Sequence, residues 1–192
     1  MKSYLDTNQT GRFDSLVSLA ATFAVPFLLL CSCVSVKPST TKSGKKYFET
    51  FYVENGTQYF IKPLALSGLG SDGDLLMDFT FRDGQSSTKT AILNLSIYRD
   101  EKVASIDSLL IYSESSHFSA TTPKLLFHER SKKGFVSRYT AGIGSSDITT
   151  LFEGDDWKIL IYSQGNPLEY SATKETKKAI ATLDEDLFAL LQ

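Results

Sequence analysis

Cysteine, histidine and tryptophan are scarce in this chain. Its 192 residues include two cysteines, two histidines and one tryptophan. The cysteines, Cys31 and Cys33, are separated by one serine, and His117 and His128 lie far from them. No C-x-x-C or H-x-x-x-H spacing is present, so the pattern of a zinc site is missing. A disulfide between Cys31 and Cys33 would close a very small, strained ring. Basic excess is also lacking: the net charge is −2, which argues against a nucleic-acid binder. There is no G-x-S-x-G elbow for a nucleophilic serine and no internal repeat. No motif calls for a cofactor or a resident metal.

Charge of either sign is absent from Leu16 to Val36, and "LVSLAATFAVPFLLL" is almost wholly apolar. About 20 such residues could span a bilayer, whereas a run of about 7–15 suits the core of a secretory signal. Lys2 and Arg12 precede the run, together with Asp6 and Asp14. The run ends in Leu30-Cys31-Ser32-Cys33.

That ending resembles the lipobox of bacterial lipoproteins: an aliphatic residue at −3, a small residue at −1 and the cysteine at +1. The resemblance covers the first thirty-three residues. It implies cleavage between Ser32 and Cys33 and lipidation of the Cys33 thiol. Cys31 would have Leu30 at −1 and so leaves with the signal. The membrane partner is then bilayer lipid, reached through acylated Cys33. Val34 follows the cysteine where an Asp would favour inner-membrane retention, which implies outer-membrane sorting in a Gram-negative host. Removing Lys2, Arg12, Asp6 and Asp14 leaves the net charge at −2. A second reading is an uncleaved single-span anchor, favoured by Lys37, Lys42, Lys45 and Lys46 just after the run.

Residues 33–46 then read as the lipidated cysteine and a tether rich in Ser, Thr and Lys. Its root-mean-square reach is on the order of 20 Å. From Tyr47 to Gln192 the pattern is that of a single domain. "YFETFYVENGTQYFIKPL" predicts a hairpin about Asn55-Gly56. In "LLMDFTFRD" Leu75, Met77, Phe79 and Phe81 share one face, and in "TAILNLSIY" Ala91, Leu93, Leu95 and Ile97 do the same. "DSLLIYSE", "KLLFHER", "GFVSRYTAG" and "DWKILIYS" predict further strands, the last of them central. "SSDITTLFEG" predicts one helical turn capped by Ser146 or Asp147. Near the C-terminus Ile180, Leu183, Leu187 and Leu190 recur at helical spacing. The fold class expected is mainly β (α+β): an antiparallel sheet of about eight strands with a C-terminal amphipathic helix. Sandwich, barrel and curved sheet all remain open.

Other candidate sites have plainer readings. "GLGSDG" (68–73) matches G-x-G-x-x-G, but a period-two run follows where a dinucleotide site needs a helix, so it reads as a loop. Asp72, Asp74 and Asp78 lack the remaining oxygens of a calcium loop and read as turn residues, as does "EGDDW". Phe48, Phe51, Tyr52, Tyr59 and Phe60 could stack ligands, but in a β domain such residues usually pair across strands. The carboxylates of "LDEDL" read as a solvated helix face. The functional class expected is a lipid-anchored cell-envelope protein with a non-catalytic binding or structural domain. The alternatives are a carrier of a small apolar ligand, and an enzyme. The enzyme reading requires His117 or His128 in a cleft beside a serine or carboxylate.

Overall fold

The computed structural model describes residues 46–53, 56–70, 72–83, 90–114, 116–132 and 134–190. Within them ten antiparallel strands and two helices follow one another. The strands are β1 (Phe48–Val53), β2 (Gly56–Gly68), β3 (Asp74–Asp83), β4 (Thr90–Arg99) and β5 (Ser108–Tyr112). After β6 (His117–Thr121), β7 (Lys124–Ser131) and β8 (Gly134–Gly144) comes α1 (Ser145–Phe152). Then come β9 (Lys158–Ser163), β10 (Asn166–Ala172), α2 (Lys174–Asp186) and a 3₁₀ turn at Phe188–Leu190. The fold is mainly β, with the helix expected at the C-terminal end.

Nine strands run in the order β6-β5-β9-β10-β2-β3-β4-β8-β7, and β1 pairs with β2 outside this path. The order itself requires curvature. Laid flat, nine strands about 4.8 Å apart would place β6 and β7 roughly 40 Å from each other. Yet only Thr122 and Pro123 separate these strands in the chain, a link that spans at most about 11 Å. The end of β6 and the start of β7 must therefore approach each other at one corner, and the sheet curls into a half-barrel. Thr122 adopts a φ of 46° at this corner.

Period-two alternation decides which side faces in. Leu75, Met77 and Phe79 of β3 are buried opposite Ile97, Leu95 and Leu93 of β4. In the same way Leu109 and Ile111 of β5 lie opposite Ile161 and Ile159 of β9, and all four are buried. The core is completed by the helices. Ile148, Leu151 and Phe152 of α1 and Ala179, Ile180 and Leu183 of α2 are buried in it. Phe152 meets Phe79, Trp157 and Phe188 with ring centroids 4.6–5.5 Å apart. Trp157 donates its indole N–H to the Leu151 and Gly154 carbonyls, so its polar edge is satisfied inside the core. Thr173 caps α2 by accepting from the Thr176 N–H at 3.2 Å, and the Thr176 hydroxyl donates to the Ala65 carbonyl of β2.

Four details differ from the expectations. The sheet gains β6 and β10, which take the strand count from about eight to ten. Val53 pairs with Gly56, so Gly56 is the first residue of β2 and not a turn position; Asn55 lies outside the described residues. Helix α1 has eight residues and begins after Gly144, with no side-chain cap from Ser146 or Asp147. Leu190 lies past α2, in the 3₁₀ turn. Pro63 sits within β2 where the register shifts between Ile61 and Leu64, a bulge at which the missing N–H costs no ladder bond.

Candidate functional site

Leu30, Cys31, Ser32 and Cys33 lie outside the described residues. Among the described residues three clusters of chemistry-bearing side chains stand out, the first two built by strand register.

The first is on the concave side, at the β7–β8 end of the sheet. His128 lies opposite Ser137, and its Nδ1 is 3.0 Å from the Ser137 Oγ. The Val103 N–H donates to the same oxygen at 3.1 Å. Tyr139 donates its hydroxyl to the Val103 carbonyl, and burial pushes its phenol pKa up. A serine–histidine contact of this length has the dimensions of an activated nucleophile. Its surroundings suit another task. Ser137 is only 1% exposed, and its oxygen already serves Val103. Together, Ser137 and Tyr139 fasten the segment between β4 and β5 to the inner face of β8. His117 is an exposed residue of β6, opposite Tyr112.

The second cluster is on the convex face. Asp78, Asn94 and Arg138 come from β3, β4 and β8. Asn94 donates its amide to Asp78 Oδ1 at 2.8 Å. Arg138 reaches across β4, donating to Ser96 Oγ at 2.6 Å and to Asp78 Oδ2 at 2.7 Å. The Asp78 side chain is 2% exposed and that of Arg138 26%. Asp78 thus faces away from Met77, as alternation requires, but it is a buried partner of an arginine and not a turn residue.

In the third cluster Asp72 accepts from Arg99 at 3.1 Å and from the Glu169 N–H at 2.9 Å. Tyr170 donates to the Asp72 carbonyl. Desolvation pushes the Tyr170 phenol up to about 12, opposed by Arg99 and assisted by Asp72. These bonds hold the 68–73 glycine loop against β10. A strand follows that loop, as the reading against a dinucleotide site requires. Asp72 and Asp78 are thus committed to different partners. Among the described residues, no three His, Cys, Asp or Glu side chains are gathered as a metal site.

The core side of the sheet is filled with side chains, including Phe79, Phe152, Trp157 and Phe188. Of the aromatics considered for stacking, Phe48 is buried, whereas Phe51 and Tyr52 are exposed. Open surface is found elsewhere. A groove of about 580 Å³ lies between Ser119–Lys124 and Thr140–Gly142, with Ile92 in its wall. Next to it runs β7, which among the described residues is an edge strand paired with β8 alone. Its Leu125, Leu126 and Phe127 are 37, 47 and 44% exposed. This surface was not foreseen: "KLLFHER" reads as a strand, but nothing in it shows that the strand ends a sheet. Comparison with protein-family models, curated proteins and solved structures gives no match to this chain.

Proposed function

We propose that the chain is a lipid-anchored protein of the bacterial cell envelope, held on the membrane through acylated Cys33, with a β domain that binds or supports a partner without catalysis. The observation that carries this reading is the order of residues at the N-terminus. An uncharged run from Leu16 ends in Leu30-Cys31-Ser32-Cys33, and a tether rich in Ser, Thr and Lys follows. Acyl chains contribute about 0.8 kcal/mol per buried CH₂, so two or three of them hold a protein stably on a bilayer. Outer-membrane sorting in a Gram-negative host follows from Val34 on the same reading.

Two features of the domain support the non-catalytic part. His128 faces a serine hydroxyl that is buried and already bonded. Three consecutive apolar side chains, Leu125, Leu126 and Phe127, are exposed on an edge strand, a usual place for strand-to-strand recognition.

The test is metabolic labelling with radioactive palmitate, together with intact-mass measurement of the membrane fraction. The native chain is expected to lose residues 1–32 and gain acyl mass, and Cys33→Ala to take up no label. Label retained by Cys33→Ala, or an uncut N-terminus on the native chain, would refute the assignment.

A further inference from the structure

Strand β7 is unusual for an edge. Natural edges are commonly blunted by charge, proline or a bulge, because unpaired N–H and C=O groups recruit other strands. Here the middle of the strand is apolar and open, with Lys124 before it and Glu129 after it, both exposed. The bulge is present, but it has a second effect. Leu125 lies opposite Tyr139 and Phe127 opposite Arg138, so Leu126 is an extra residue and the alternation slips by one. Tyr139 is a core residue, while Arg138 serves the convex face. Leu125 and His128 therefore lie on the concave side, and Lys124, Phe127 and Glu129 on the convex side.

We propose that β7 is a homodimerisation edge, pairing antiparallel with β7 of a second copy of this chain about a two-fold axis between Leu126 and Phe127. In that register Lys124 meets Glu129 of the other copy, Leu125 meets His128, and Leu126 meets Phe127. An axis perpendicular to the sheet keeps convex with convex and concave with concave, so paired residues must share a face. Lys124 and Glu129 do, as do Leu125 and His128, because of the slip. In a regular strand, residues 125 and 128 would point to opposite faces and this register would be forbidden.

Charge selects the occupant. The same strand supplies a cation and an anion at mutually opposite positions, so symmetry creates two Lys124–Glu129 pairs flanking an apolar centre. The neighbouring choice, with Phe127 opposite itself, would place Lys124 against Arg130 and Leu125 against Glu129, pairs of like charge or mixed polarity that lie on opposite faces. A short strand contact is small beside the roughly 1,200–2,000 Å² of stable complexes, so association is concentration-dependent. The inference does not depend on the lipid anchor, although confinement to one membrane surface would raise the effective concentration.

The experiment is sedimentation equilibrium of the full chain in density-matched detergent, up to about 1 mM. A monomer–dimer equilibrium is expected. Lys124→Glu and Glu129→Lys alone should each weaken it about tenfold, since two attractions become two repulsions. The double reversal should restore it. Phe127→Glu should give monomer throughout, with Trp157 emission reporting that the fold is intact. A chain that stays monomeric, a dimer indifferent to Phe127→Glu, or a double reversal that fails to restore pairing would each overturn the proposal.

Discussion

Arg138→Met and Asp78→Ala remove the two ends of one ion pair, yet they should differ in cost. Arg138→Met strands a carboxylate whose side chain is 2% exposed, leaving it only the Asn94 amide. It also removes the donor to Ser96 Oγ, and Ser96 is itself buried. Breaking a buried pair in this way typically costs about 3–5 kcal/mol. The arginine was itself partly hydrated, so we take the lower end, about 3 kcal/mol. Asp78→Ala leaves a guanidinium that is 26% exposed, can turn to water and keeps its bond to Ser96. Its cost should be about 1 kcal/mol, near that of one hydrogen bond. Urea unfolding followed by Trp157 emission measures both, since Trp157 is the one tryptophan and is fully buried. With a slope of about 1–3 kcal/mol/M, Arg138→Met should move the midpoint by roughly 1–3 M. Equal shifts for the two variants, or a larger one for Asp78→Ala, would refute the claim that the buried carboxylate sets the cost.

Two further outcomes follow from the third cluster and the loops. The Tyr170 phenol is raised to about 12, so the folded state holds its proton more tightly than the unfolded chain does. That contribution is complete below about pH 10 and is lost as pH rises towards about 12. Tyr170→Phe should cost about 1 kcal/mol at neutral pH for its bond to the Asp72 carbonyl, then flatten the alkaline fall in stability; an unchanged slope between about pH 10 and 12 would contradict this. Gly73 and Gly165 have nearly equal positive φ, 75° and 77°, but a Cβ on Gly73 would stand 2.0 Å from the Tyr98 carbonyl oxygen while one on Gly165 meets nothing within 4 Å. Gly165→Ala should cost about 1 kcal/mol and Gly73→Ala clearly more, measured by thermal unfolding.

The parts of the fold legible in the sequence were those governed by local pattern. Leu75, Met77, Phe79 and Phe81 alternate cleanly because β3 is buried on one face, and α2 keeps Ile180 and Leu183 on one stripe. The two missed strands lack such a pattern. In β6, "HFSAT" buries only Phe118. In β10, Pro167 reads as a breaker. It is tolerated because β10 pairs with β2 only through Tyr170–Ala172, so no β2 partner lies opposite Pro167. The clusters were illegible for another reason. Asp78 and Arg138 are 60 residues apart and meet only because β4 lies between their strands. His128 and Ser137 meet because the β7–β8 pairing that starts at Ser131–Gly134 sets them opposite each other, a register the sequence does not announce. The exposure of Leu125, Leu126 and Phe127 depends on strand order, which hydrophobicity does not encode.

Strand β1 has a mechanical consequence. Among the described residues it pairs with β2 alone, and Phe48, its first residue, is its only buried one. A pull delivered from the N-terminal side, as through a chain fixed at Cys33, would reach β1 before the other described strands. The load would open the β1–β2 rungs in sequence from Phe48–Ile61 towards Val53–Gly56, each bearing the force in turn. Six released residues add about 20 Å of slack. β1 would act as a mechanical fuse, lengthening the leash and sparing the nine-strand body from the first tug.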